Sequence, residues 1–329
     1  MARIVRSKNS YLSTALLFLC GISTYPQTLP PQVASPSADS QSAIFVKTEL
    51  VVLPVSVTDA KGNFISGLGL QNFRVYDGGR LQNITAFHEE DTPVTVGLIV
   101  DHSRSMGPKL EKVAAAVSVF AQSSNSQDEM FVVDFNDDVS VELMGGKAFT
   151  SDPKDLARAV SFVRARGRTA LYDAVAEGLI HVELGHCERK ALIVVSDGGD
   201  NASQQKLSQV LAEAQRSQVV IYSVGLVDAD EGDQDPRVLQ RLSKNTGGIA
   251  FFPMTLDGVT AVSTQIARLL REQYTLGFIP VKTGTADSFR QIKVTVAAPG
   301  HGRLHVRTRP NYFWPEQKQS SATPGKSAS

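Results

Sequence analysis

Apolar and polar positions fall into three patterns along the chain. From Val94 to Val100, and again from Ala191 to Val195, nearly every residue is apolar or β-branched. Unbroken runs of this length suit strands covered on both faces, as in a parallel sheet with helices above and below. Between and after them the apolar positions take helical spacing. Leu110, Val113, Ala114, Val117, Phe120 and Ala121 share one face, and Leu171, Ala174, Val175, Gly178, Leu179 and Val182 mark another. The same reading predicts helices over 155–163, 207–216, 236–243 and 256–271, and strands over 130–135, 219–224 and 249–252. Strands alternating with helices of this length imply right-handed crossovers and a doubly wound, mostly parallel, Rossmann-like α/β sheet.

The third pattern is two-residue alternation at both flanks. Leu50 to Thr58, Phe73 to Tyr76 and Ile84 to Phe87 read as strands on one side; 274–279, 290–296 and 304–309 do so on the other. So few strands cannot close a sandwich alone. The flanks, 45–92 and 273–314, are therefore expected to pair into one small β-sandwich, with the α/β domain, 93–272, inserted between them. The competing reading is two separate β pieces that only brace the central domain.

Chemistry-bearing residues gather where the buried runs stop. Asp101, Ser103 and Ser105 supply a carboxylate and two hydroxyls at alternate positions, so a loop leaving the strand can turn all three toward one point. Hard oxygen donors of low total charge suit Mg²⁺, or Mn²⁺ or Ca²⁺, better than zinc or copper. Three donors do not fill an octahedral shell. Thr169 stands two residues after Gly167 where a helix begins, and Asp197 ends the second buried run before Gly198 and Gly199. In an open α/β sheet, ligands collect at the carboxyl ends of strands near the point where strand order reverses. Singly, Asp and Ser are common at strand ends and helix starts; the ordered set is what points to a cation.

Asp-x-Ser-x-Ser at 101, 103 and 105, Thr169 in Gly-x-Thr-Ala-Leu and Asp197 in Ser-Asp-Gly together resemble the metal-ion-dependent adhesion site of the von Willebrand factor type A domain. The likeness spans roughly Pro93 to Glu272, and the β flanks resemble bacterial extracytoplasmic proteins of the VWFA-related (Acidobacterial type) family. The resemblance implies that Ser103, Ser105 and Thr169 bind the ion directly or through water, that Asp101 and Asp197 mostly hold coordinated waters, and that one position stays open for a partner's carboxylate. Arg104 departs from the glycine the family often carries there.

Other polar groups have plainer readings. Asp200 and Asn201 read as loop formers, with an outer-shell role as the alternative. Asp134, Asn136, Asp137 and Asp138 lack the Gly and distant Glu of a twelve-residue calcium loop and read as a solvated hairpin turn. His102 beside Ser103 suggests a base and nucleophile, but neighbours on an extended loop point apart. Arg164, Arg166 and Arg168 read either as a solvated helix end or as cations steering an acidic partner. Asp228 to Asp235 reads as an acidic surface loop.

Composition narrows the classes. With 42% hydrophobic residues in 329, the chain can bury a full core and exceeds one average domain. A formal charge of +0 gives no general attraction to nucleic acid or anionic membrane. Cys20 and Cys187 are the only cysteines, which excludes a disulfide framework. Arg3, Arg6 and Lys8 followed by the apolar run Tyr11 to Ile22 resemble an export signal over 1–23, with 24–44 a disordered linker and 315–329 a disordered tail. The expected protein is thus secreted or periplasmic, or else held at a membrane or wall by its N-terminal segment. The expected function is non-enzymatic capture of a partner Asp or Glu through a divalent cation, Mg²⁺ foremost. A scaffold stabilised by its metal and a metal-dependent hydrolase are the alternatives; the hydrolase lacks a second Asp at position 103 or a His-Glu-x-x-His helix.

Overall fold

A computed structural model describes residues 50–89, 91–141, 143–227, 234–281 and 288–314. The export signal, the linker, most of the acidic loop and the tail lie outside the described residues. The first flank holds β1 (Val51–Thr58), β2 (Phe73–Asp77), β3 (Arg80–Gln82) and β4 (Ile84–His88). The central region runs β5 (Val94–Asp101), α1 (Leu110–Gln122), β6 (Glu129–Phe135), β7 (Val139–Val141), α2 (Pro153–Phe162), α3 (Leu171–Val182), β8 (Arg189–Ser196), α4 (Leu207–Arg216), β9 (Val220–Gly225), α5 (Pro236–Thr246), β10 (Ala250–Phe251) and α6 (Gly258–Arg271). The second flank holds β11 (Tyr274–Phe278), β12 (Ser288–Val296), β13 (His305–Arg307) and β14 (Asn311–Trp314).

The central sheet has the order β10-β9-β8-β5-β6-β7, parallel except for the hairpin strand β7. Every residue of β5 is buried, as the unbroken apolar run requires. One face packs on α1, α2 and α6, the other on α3, α4 and α5, so the sheet lies between two apolar cores. Local sequence starts the outer helices. Asp152 and Asp235 accept the backbone N–H groups of Lys154 and Arg237, with Pro153 and Pro236 in the first turns.

The flanks pair with one another. β1 lies between β11 and β13, and β2 pairs with β12, so both four-stranded antiparallel sheets draw strands from both ends of the chain. Their inner faces share one apolar cluster. Tyr274, directly after α6, is fully buried there; its ring lies 4.9 Å from that of Phe73, and its hydroxyl donates to Ile65 O (2.8 Å) and accepts from Leu68 N (3.1 Å). Interleaved strands decide for a sandwich over two separate braces. Arg189 ties it to the central sheet through Leu270 O and Gln273 Oε1. Among the described residues no helix is long and apolar enough to cross a membrane.

Gly97, in the middle of β5, is tightly enclosed by the core. A Cβ there would collide with Phe131 Cζ and Leu192 Cδ2, both ring or branched atoms in a packed layer. We expect Gly97→Ala to cost about 1–3 kcal/mol by overpacking. Urea denaturation should show a lower midpoint with an unchanged slope; an unchanged midpoint would contradict the packing described.

Candidate metal centre

Strand order reverses beside β5: the chain passes from β5 to β6 on one side and returns to β8 on the other. The crevice of this sheet is therefore at the carboxyl ends of β5 and β8. Parallel register sets Val100 beside Val195, which brings Asp101 level with Ser196 and leaves Asp197 one residue beyond. Gly198, at φ +88°, then turns the chain in a conformation that side-chain-bearing residues rarely adopt.

Asp101 is fully buried and fully bonded. Its Oδ1 accepts Ser103 N (2.8 Å), and its Oδ2 accepts Ser196 Oγ (2.7 Å), which in turn accepts Gly198 N (3.0 Å). Asp197 accepts Gly199 N on Oδ1 (3.0 Å) and the Ser105 hydroxyl on Oδ2 (2.8 Å). The Ser103 and Ser105 hydroxyls stand 3.2 Å apart. Thr169 is positioned from across the crevice: its N–H donates to Asn201 Oδ1 (3.0 Å), and its carbonyl accepts Asn201 N and Ala202 N (3.0 Å each). Its hydroxyl makes no hydrogen bond among the described residues, and Thr169 lines a cleft of about 450 Å³ together with Ser103, Ser105, Asp197 and Arg104. Four of the five expected residues thus border one cleft, with Asp101 beneath it.

The donor set can be tested against a hard cation. Metal–oxygen distances of about 2.1 Å in an octahedron put neighbouring oxygens about 3 Å apart. The hydroxyl pair at 3.2 Å and the Ser105–Asp197 contact at 2.8 Å match that edge. Among the described residues no three His, Cys, Asp or Glu side chains gather as a metal-holding group; the side-chain oxygens at this cleft are the hydroxyls of Ser103, Ser105 and Thr169 and the carboxylate of Asp197, hard donors of low total charge. Burial pushes the Asp101 carboxyl up to about 6; the hydrogen bonds from Ser103 and Ser196 oppose this, and the charge of Asp197 adds to it.

Several neighbours differ from their simplest reading. The turn after β6 is not a wholly solvated hairpin. Asp134 and Asn136 are buried, Asp134 pairs with His102, and Asn136 O accepts Ala170 N (2.8 Å). The other nitrogen of His102, Nε2, faces Val160 O at 2.8 Å, so this imidazole is spent on holding the strand ends and points away from Ser103 as expected. Burial disfavours its charge, but the hydrogen bond and charge of Asp134 outweigh this and raise its pKa. Arg168 is not a loose steering cation: Asp137 accepts its Nε (2.9 Å) and its N–H (3.0 Å). Ser196 and Asn201 are the site residues that pattern reading passed over or undervalued. Strand alternation could have found Ser196, since it points to the opposite side from Asp197 and therefore toward Asp101.

The family model of the von Willebrand factor type A domain matches residues 96–265, more than half of the chain. No curated protein matches. Among solved structures, a von Willebrand factor type A protein from Catenulispora acidiphila is 13% identical with a TM-score of 0.48, covering 82% of this chain and 75% of that one. The von Willebrand factor domain of the type V pili tip protein Mfa5 from Porphyromonas gingivalis is 12% identical, TM-score 0.45, covering 54% and 95%. The conserved hypothetical protein BatB from Bacteroides thetaiotaomicron is 19% identical, TM-score 0.42, covering 54% and 98%.

The raised pKa of Asp101 sets a pH dependence. Between the unfolded value near 3.8 and the folded value of about 6, the folded state keeps a proton that the unfolded chain has lost. Stability then falls as pH rises, by about 3 kcal/mol in all. His102, whose pKa is raised above 6.5, contributes stability that is lost only at higher pH. With EDTA present, urea midpoints of wild type and Asp101→Asn should diverge from pH 4 to 6.5, wild type losing ground. A constant difference would show that Asp101 carries no such cost.

Proposed function

Because the chain belongs to the von Willebrand factor type A domain family, we propose that it is an exported, non-enzymatic binding module that captures an acidic residue of a partner protein through a divalent cation. The observation that carries this reading is the convergence of three hydroxyls, Ser103, Ser105 and Thr169, on a cleft backed by two buried carboxylates. Mg²⁺, or Mn²⁺ or Ca²⁺, would be held by Ser103, Ser105 and Thr169, with Asp101 and Asp197 behind them. When bound, the cation supplies a Lewis-acidic position with a strong preference for anionic oxygen.

The chain's own residues arrange the rest. Asp101 pins the loop through Ser103 N, Asp197 aims the Ser105 hydroxyl, and Asn201 holds Thr169 on the far wall. Arg104 borders the same cleft and adds positive potential toward a carboxylate ligand. A hydrolytic reading needs a base near the ion. His102, the nearest imidazole in sequence, is buried and bonded to Asp134 and Val160 O. The scaffold reading draws on the buried Asp101, whose charge a cation would stabilise. Export and the N-terminal association with a membrane or wall rest on residues 1–44, whose basic start and apolar run have the form of a leader.

The test is capture from the envelope fraction of the source by immobilised protein, in Mg²⁺ and in EDTA, beside Ser105→Ala and Thr169→Ala. Magnesium should raise the wild-type melting temperature, adding about 2.7 kcal/mol at a hundred times the dissociation constant. A specific partner should be retained only with wild type and Mg²⁺. Stabilisation by Mg²⁺ with capture indifferent to the metal would replace adhesion with the scaffold reading; no stabilisation would remove the ion from both.

A further inference from the structure

Arg309 is 4% exposed, yet its guanidinium is held by carbonyl oxygens alone. Nε donates to Asn311 O (2.9 Å), and Nη2 to Gln215 O (3.0 Å) and Ser217 O (2.7 Å). No carboxylate among the described residues pairs with it. Burial, with no neighbouring negative charge to oppose it, draws its pKa down to about 10. Buried charges are ordinarily paired with an opposite charge, and none of the described residues supplies one.

The same arginine lines a groove of about 920 Å³ between α5, β10, β12 and the segment around β13. Lys244, Lys293 and Arg307 line it too, all exposed, and no Asp or Glu is among the lining residues. In a chain with formal charge +0, three exposed cations on one concave surface, a fourth buried beside them and no acid among the described lining residues make a local positive field. The buried Thr308 hydroxyl beside them has no hydrogen-bond partner among the described residues.

Strand edges meet in this groove. Among the described residues, β10 is the last strand of the central sheet and pairs with β9, and β13 is the last of its own sheet and pairs with β1. β12 pairs with β14 over Ser288 to Gln291, and Ile292 N donates to Pro310 O (2.9 Å); from Lys293 to Val296 it pairs with β2 on one side, while β13 packs near the other without ladder pairing among the described residues. Ala250, Arg307 and Lys293 bring these three edges to the groove wall, with Ile249 and Val294 as apolar floor. An open edge offers main-chain donors and acceptors to an added strand, and pockets beside it select its side chains.

We propose that this groove docks an extended acidic peptide segment of a partner protein, which adds as a strand and sets carboxylates against Lys244, Lys293 and Arg307, with the buried charge of Arg309 behind them. The site lies apart from the cation cleft and does not rest on the metal reading.

The test uses the full chain in EDTA and a fluorescein-labelled ten-residue peptide of alternating Asp and Val, followed by anisotropy at low and high salt. Binding is expected without divalent metal, weakening with salt. The double variant Lys293→Glu with Arg307→Glu, which changes only exposed side chains, should lose at least tenfold in affinity while keeping its circular dichroism and melting temperature. The same peptide N-methylated at alternate residues should also lose at least tenfold. Binding that needs Mg²⁺, or that ignores the charge reversals, would overturn the proposal. Equal binding of the N-methylated peptide, or preference for inorganic polyphosphate over both peptides, would replace it with a groove for polyanions in general.

Discussion

Asp101 and Asp197 leave neighbouring strands at one end of a buried sheet, and the cost of burying both carboxylates is the constraint to which the surrounding loops answer. Two carboxylates in poorly solvated surroundings need donors or a cation. The chain provides Ser103 N and Ser196 Oγ for one, Gly199 N and Ser105 Oγ for the other. A hydroxyl can give its proton to a carboxylate and still offer a lone pair to a metal. The bond that orients Ser105 therefore leaves its oxygen able to accept.

That local logic depends on the sheet. Register between β5 and β8 places Asp101 beside Ser196; a one-residue slip would turn each side chain to the other face. The sandwich built from both chain ends then anchors the exit of α6 through Tyr274. Asp235, which caps the start of α5, has its carbonyl where a Cβ on Gly198 would sit, and Lys244 in the last turn of α5 lines the cationic groove.

Much of this was legible in the residues. The long apolar runs fix β5 and β8 because burial on both faces leaves few other options, and the five oxygen-bearing positions fall at strand ends and a helix start where backbone turns expose them. What stayed hidden depended on distant partners. β3, β7 and β14 span three or four residues each, too short for alternation to stand out. The polar turn after β6 looks solvated until His102 is seen folded over Asp134, a contact between loops that no local pattern encodes. Arg309 reads as an ordinary charged residue of a flank strand, and only the carbonyls of Gln215 and Ser217, contributed by the central domain, explain its burial.

The most direct measurement of the central claim is anomalous diffraction from crystals of the protein grown with Mn²⁺ in place of Mg²⁺. The account predicts a peak in the cleft about 2.0–2.3 Å from Ser103 Oγ, Ser105 Oγ and Thr169 Oγ1, directly or with a water bridging one of them, with Asp101 and Asp197 behind. A crystal saturated with Mn²⁺ that shows no peak there, or one elsewhere with Thr169 unengaged, would contradict it.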